Sequence, residues 1–102
     1  MQRRIVRDRV LIGHWLAADL QGQRCYCPVG WLATEAGVLE EELLHKGAVT
    51  RKIANRIAVY LGKEPTVKFF NRLQRLAAKA DTANLTSEGR GQLLDTFVGR
   101  TR

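Results

Sequence analysis

An all-α fold, a compact bundle of five or six short helices, is the class this sequence predicts, and three observations predict it. Apolar residues recur at intervals of three and four along most of the chain. Hydroxyl residues and glycines punctuate those runs where helices would begin and end. No stretch sustains the apolar–polar alternation of period two that a half-buried strand needs.

Taken in order, Ile5, Ile12, Leu16 and Leu20, flanked by Val6, Val10, Trp15 and Ala17, are spaced for a first helix from about Arg4 to Leu20, ended by Gln21 and Gly22. Gln23 to Cys27 reads as a loop. Pro28 suits the first position of a second helix, where its missing N–H costs nothing, and Gly37 ends that helix beyond Trp31, Leu32, Glu35 and Ala36. Glu40, Glu41 and Glu42 would open a third, short helix, favoured there by the helix dipole, with Leu43 and Leu44 as its apolar side and Gly47 as its stop. Thr50 caps a fourth helix with a buried stripe of Ile53, Ile57, Tyr60 and Leu61, closed by Gly62 and Pro65. Thr66 caps a fifth, whose inner face is Phe69, Leu73, Leu76 and Ala80. After a turn at Asp81 to Asn84, Ser87 begins a last helix carrying Leu93, Leu94, Phe97 and Val98. Gly89 and Gly91 weaken its first turn by about 1 kcal/mol each relative to Ala.

A chain of 102 residues that is 45% apolar supports one domain, 1–102, around one core. It holds no apolar run of 18 residues and starts Met1-Gln2-Arg3-Arg4, so neither a membrane span nor secretion is expected, and the reading is cytoplasmic. The net charge of +7 is uneven. Residues 51–80 set eight cations against Glu64 alone, whereas residues 10–50 set two cations against five carboxylates. The molecule therefore has an acidic part and a basic part.

Within the basic part, Lys68, Arg72, Arg75 and Lys79 recur at offsets 0, 4, 7 and 11, which on one helix stacks them in a ridge roughly 16 Å long. No carboxylate interrupts it. Like charges at these spacings cost roughly 0.2–0.5 kcal/mol per pair, so the stripe points to a partner rich in negative charge, nucleic acid first; the alternative is a plain solvated face. Arg51, Lys52 and Arg56 on the preceding helix would assist.

The stretch Leu32-Ala33-Thr34-Glu35-Ala36-Gly37-Val38, with Leu43 and then Ile53, Ala54, Ile57, Ala58 and Leu61-Gly62, resembles the lambda-repressor type of helix-turn-helix over residues 31–62. Ala33 lets two helices approach, Gly37 takes the turn, and Val38 and Leu43 bury the second helix. The resemblance implies a helix in the major groove, yet this sequence puts Glu40, Glu41 and Glu42 there, where carboxylates meet phosphates. Gly22, Cys25, Cys27, Gly30 and Trp31 are similar to a Gly-Cys-Gly signature of small uncharacterised phage and bacterial proteins. That similarity implies no activity and suggests an accessory protein acting on nucleic acid or on a host protein.

Catalytic chemistry finds little support. Cys25 and Cys27, with only Tyr26 between them, are too close for the usual zinc pair and read as packed thiols, so no metal and no cofactor is expected. Beside a helix N-terminus the Cys27 thiol would tend to be acidified, with only His14 or His45 as a base. Trp31 and Tyr60 fall on apolar stripes and read as core, leaving Tyr26 as the best aromatic for stacking on bases. The carboxylates form no acid–base pair.

The expectation is thus a non-enzymatic, basic, nucleic-acid-binding protein, DNA first, working through phosphate contacts from Lys68, Arg72, Arg75, Lys79, Arg51, Lys52 and Arg56. The alternative is a phage-type interaction module or inhibitor docking on an acidic surface of a host protein. The two-signed surface would also suit a homodimer.

Overall fold

The structure, a computed structural model, describes residues 10–82 and 84–101. These form strands β1 (Ala17–Leu20) and β2 (Gln23–Tyr26), then helices α1 (Pro28–Glu35), α2 (Arg51–Tyr60), α3 (Val67–Ala80) and α4 (Ser87–Thr101), with a single 3₁₀ turn at Glu40–Glu42. The expected all-α bundle of five or six helices is corrected by this arrangement of four helices and a two-stranded antiparallel sheet.

The correction begins in the segment expected to be the first helix, whose start at Arg4 lies outside the described residues. Gln21 and Gly22 both take positive φ, 52° and 78°, the backbone sense that matches the twist of a tight hairpin. The turn therefore folds β2 back on β1 in the register Ala17 with Tyr26 through Leu20 with Gln23, and the expected loop at Gln23 to Cys27 is mostly strand. Upstream of β1 the chain is irregular, with bends at Gly13, His14 and Leu16. The Ile12 amide donates to the Tyr26 carbonyl at 2.7 Å, and the Leu16 amide to the Lys46 carbonyl at 2.9 Å.

The expected third helix is likewise reduced to one 3₁₀ turn. Beyond it the chain pairs with the root of β1: the His45 amide donates to the Ala17 carbonyl at 2.8 Å, and the Ala17 amide to the Leu43 carbonyl at 3.2 Å. Leu43 is fully buried, so the apolar residues expected to face the core do so from an irregular segment.

Helix α1 lies at the centre, packed against α2, α3, α4 and β2. It starts at Pro28 as expected, and residues Pro28 through Ala33 are all buried. Gly30 allows this position: a Cβ there would lie 1.8 Å from the Leu16 carbonyl oxygen. Gly37, at φ +91°, turns the chain away in the left-handed conformation that suits glycine.

The expected caps hold α2 and α3. Thr50 Oγ1 accepts the Ile53 amide at 3.2 Å, and Thr66 Oγ1 accepts the Phe69 amide at 3.1 Å. Helix α3 buries Phe69, Leu73, Leu76 and Ala80, the face its periodicity predicts. On α2, Ile53, Ile57 and Leu61 are buried, but Tyr60 is 38% exposed and its hydroxyl donates to Glu35 Oε1 at 3.1 Å, so it does not belong to the buried stripe. The first turn of α4 is held by Thr86, whose Oγ1 accepts the Gly89 amide at 3.0 Å, while Ser87 Oγ accepts the Leu11 amide at 2.9 Å.

Helices α3 and α4 run antiparallel. At one end Arg90 Nε donates to the Ala80 carbonyl at 2.6 Å; at the other Arg72 Nη2 donates to Thr101 Oγ1 at 3.0 Å. Among the described residues no helix is long and apolar enough to cross a membrane.

Candidate functional site

The spacing that buries Phe69, Leu73, Leu76 and Ala80 turns the cationic ridge of α3 sideways, toward the groove shared with α4. Arg72, Arg75 and Lys79 line a cleft of about 240 Å³ together with Leu76, Leu93, Thr96, Phe97 and Arg100. Four cations thus surround a floor that is partly apolar, and among the described residues the lining contains no carboxylate. Lys68 is exposed on α3 but does not line the cleft.

The four cations are not equivalent. Arg72 is half-buried, its guanidinium 5.0 Å from the Phe97 ring centre and 5.8 Å from that of Phe69. It also reaches the buried Thr101 hydroxyl, which itself donates to the Phe97 carbonyl at 2.8 Å. Cation–π attraction and the hydrogen bond hold the guanidinium in place with donors to spare. Arg75, Lys79 and Arg100 are exposed, and among the described residues none of them forms an ion pair. Arg100 was missed by sequence reasoning although its spacing was there to read. Leu93, Thr96, Phe97 and Arg100 follow offsets 0, 3, 4 and 7, so Arg100 extends the same face of α4.

The cations of α2 lie elsewhere. The Arg51 guanidinium sits over the Phe70 ring at 5.6 Å. Lys52 and Arg56 line a second concavity with Asn55, Val59 and Tyr60, of about 410 Å³. There Arg56 Nη2 donates to the Gly37 carbonyl at 3.2 Å, and Asn55 Oδ1 is buried with no hydrogen-bond partner among the described residues. The seven expected cations therefore divide: Arg72, Arg75 and Lys79 in the α3–α4 cleft, Lys52 and Arg56 in the α2 concavity, Arg51 on an aromatic ring, and Lys68 apart.

Two carboxylates of the acidic part, Asp19 and Glu40, are paired within it. Arg24 on β2 joins Asp19 on β1 and Glu40 in the 3₁₀ turn, and the Tyr26 hydroxyl donates to the same Glu40 carboxylate. The hydrogen bond from Arg24 holds the Asp19 carboxyl below its ordinary range. Tyr26 is 7% exposed and packs edge-on against Trp31 at 5.6 Å, so the aromatic expected to stack on bases is a core residue bracing the hairpin.

Cys27 also departs from expectation. Its Sγ accepts the Gly30 amide at 3.3 Å as the cap of α1, yet the thiol is pushed up to about 11, because burial outweighs the amides that favour the thiolate. Burial raises the Cys25 thiol as well. Among the described residues, no three His, Cys, Asp or Glu side chains gather in a way that would hold a metal ion.

No family model, curated protein or solved structure matches the chain.

Proposed function

We propose that this chain is a small nucleic-acid-binding protein that grips the phosphate backbone through the α3–α4 face, with Arg72, Arg75, Lys79 and Arg100 at its centre. The observation that carries the reading is the asymmetry of charge use. Arg24 is consumed by Asp19 and Glu40, whereas among the described residues the cations of the cleft meet no carboxylate. An uncompensated cluster of this kind raises the local concentration of a polyanion and gains affinity by releasing its counterions. Lys68 and the α2 cations Arg51, Lys52 and Arg56 extend the positive field without sharing the cleft. DNA is the first candidate partner, and the three carboxylates at Glu40–Glu42, which would repel phosphates, favour a contact away from the segment that resembles a helix-turn-helix.

The α2 concavity favours a second reading, an interaction module for an acidic protein surface. It combines Lys52 and Arg56 with Val59, which is 67% exposed, a mixture better suited to protein than to phosphate alone.

Fluorescence anisotropy with labelled DNA tests the first reading. Arg75→Glu with Lys79→Glu is expected to weaken binding at least 100-fold while circular dichroism stays unchanged. Unaltered affinity in this variant would remove the α3–α4 face from consideration.

A further inference from the structure

Phosphate contacts alone do not use everything the α3–α4 cleft offers. A surface that only tracks a backbone needs cations, yet this cleft also has a recessed apolar floor of Leu76, Leu93 and Phe97. Phe97 and Leu93 are partly exposed rather than sealed into the core. Beside them lies the Arg72 guanidinium, held over the Phe97 ring and hydrogen-bonded to Thr101. Apolar side chains and a guanidinium plane are the surfaces on which an unpaired base stacks, and the cations at the rim stand where the phosphates flanking that base would run. In a duplex the bases are stacked and paired inside, so the same floor would be left empty.

We infer that the α3–α4 cleft accepts one unpaired base of a single strand, seated on Leu93, Phe97 and the Arg72 plane, while Arg75, Lys79 and Arg100 hold the adjoining phosphates. This deepens the nucleic-acid reading and rests on it: it names single-stranded nucleic acid as the preferred partner. The ligand is a base-bearing phosphate within a strand, because cations continue beyond the cleft at Lys68, where a free nucleotide has nothing to contact.

Anisotropy titrations of the full chain at one fixed salt concentration test this with four probes: a labelled oligothymidylate, the same length of abasic single strand, a duplex of that length, and thymidine monophosphate as competitor. The thymidylate strand is expected to bind about tenfold more tightly than both the abasic strand and the duplex, and the mononucleotide should not compete at micromolar concentration. Thr96→Phe, at an exposed position on the cleft rim, fills the recess without changing charge. It should abolish the preference for the thymidylate strand over the abasic strand. Equal binding of thymidylate and abasic strands overturns the base pocket while leaving the phosphate reading standing. Competition by the mononucleotide at micromolar concentration overturns the assignment to a strand. Failure of every nucleic acid to bind overturns the underlying reading and this inference with it. An undiminished single-strand preference in Thr96→Phe would place the base elsewhere and likewise overturn it.

Discussion

Gly30 shows how far single residues decide this fold, since the first turn of α1 lies directly on the backbone of residue 16. Gly30→Ala would put a carbon 1.8 Å from the Leu16 carbonyl oxygen, a clash with main chain that no rotamer relieves. The variant is expected to lose more than about 3 kcal/mol of stability, measured as a lower urea midpoint; an unchanged midpoint would mean that α1 and the Leu16 segment separate easily. Arg72 carries a smaller structural load. Arg72→Ala removes its hydrogen bond to Thr101 and its cation–π contact with Phe97, and should cost about 1–2 kcal/mol. For that reason charge reversal at Arg75 and Lys79, both exposed, is the cleaner probe of binding. Cys27 gives a dependence on pH. Its folded thiol, raised to about 11 from an ordinary 9.0, keeps its proton where the unfolded chain has lost it. Stability is therefore full below about pH 9 and falls by roughly 2–3 kcal/mol as pH rises through 11. Cys27→Ser should remove that portion of the alkaline loss, seen by comparing unfolding midpoints of the two proteins at pH 8.5 and 11.

The elements differ in how plainly the sequence announces them, and burial geometry explains the difference. Helices α2 and α3 lie on the surface of one core, so each has an inner and an outer face, and caps at Thr50 and Thr66 mark their starts. Their residues could be read one by one, Tyr60 excepted, because an aromatic on the edge of a stripe can turn its hydroxyl outward to Glu35. The hairpin was hidden for the opposite reason. In β1 the buried residues are Ala17 and Ala18 and the exposed ones Asp19 and Leu20, so burial changes along the strand and not across it. A strand that enters the core end-on shows no period of two. The remaining signal was Gln21-Gly22, a turn pair whose left-handed conformation only the structure reveals. At Glu40–Glu42, acidic residues suited to a helix start were claimed by Tyr26 and Arg24, and tertiary contacts outweighed local preference. Glu40→Gln should loosen this corner, lowering stability by about 1–2 kcal/mol in urea unfolding, while leaving any binding through the α3–α4 face intact.

At the level of the whole molecule, charge is sorted by use as well as by sign. The acidic hairpin corner binds Arg24 to Asp19 and Glu40, and Arg90 is committed to the carbonyl at the end of α3. Among the described residues, the largest cluster of cations outside these contacts is the α3–α4 face, where periodicity located Arg72, Arg75 and Lys79 but could not show which neighbouring helix would complete them with Arg100. Pairing of α3 with α4 was invisible because nothing in either helix alone specifies its partner. The positive field of this face is the central claim, and its most direct test is the salt dependence of affinity for a short DNA strand. A plot of log affinity against log salt should have a slope of about −3, as expected for some four phosphate contacts, and Arg75→Glu with Lys79→Glu should flatten it toward zero. A slope near zero in the unaltered protein, or the same slope in both, would contradict the account.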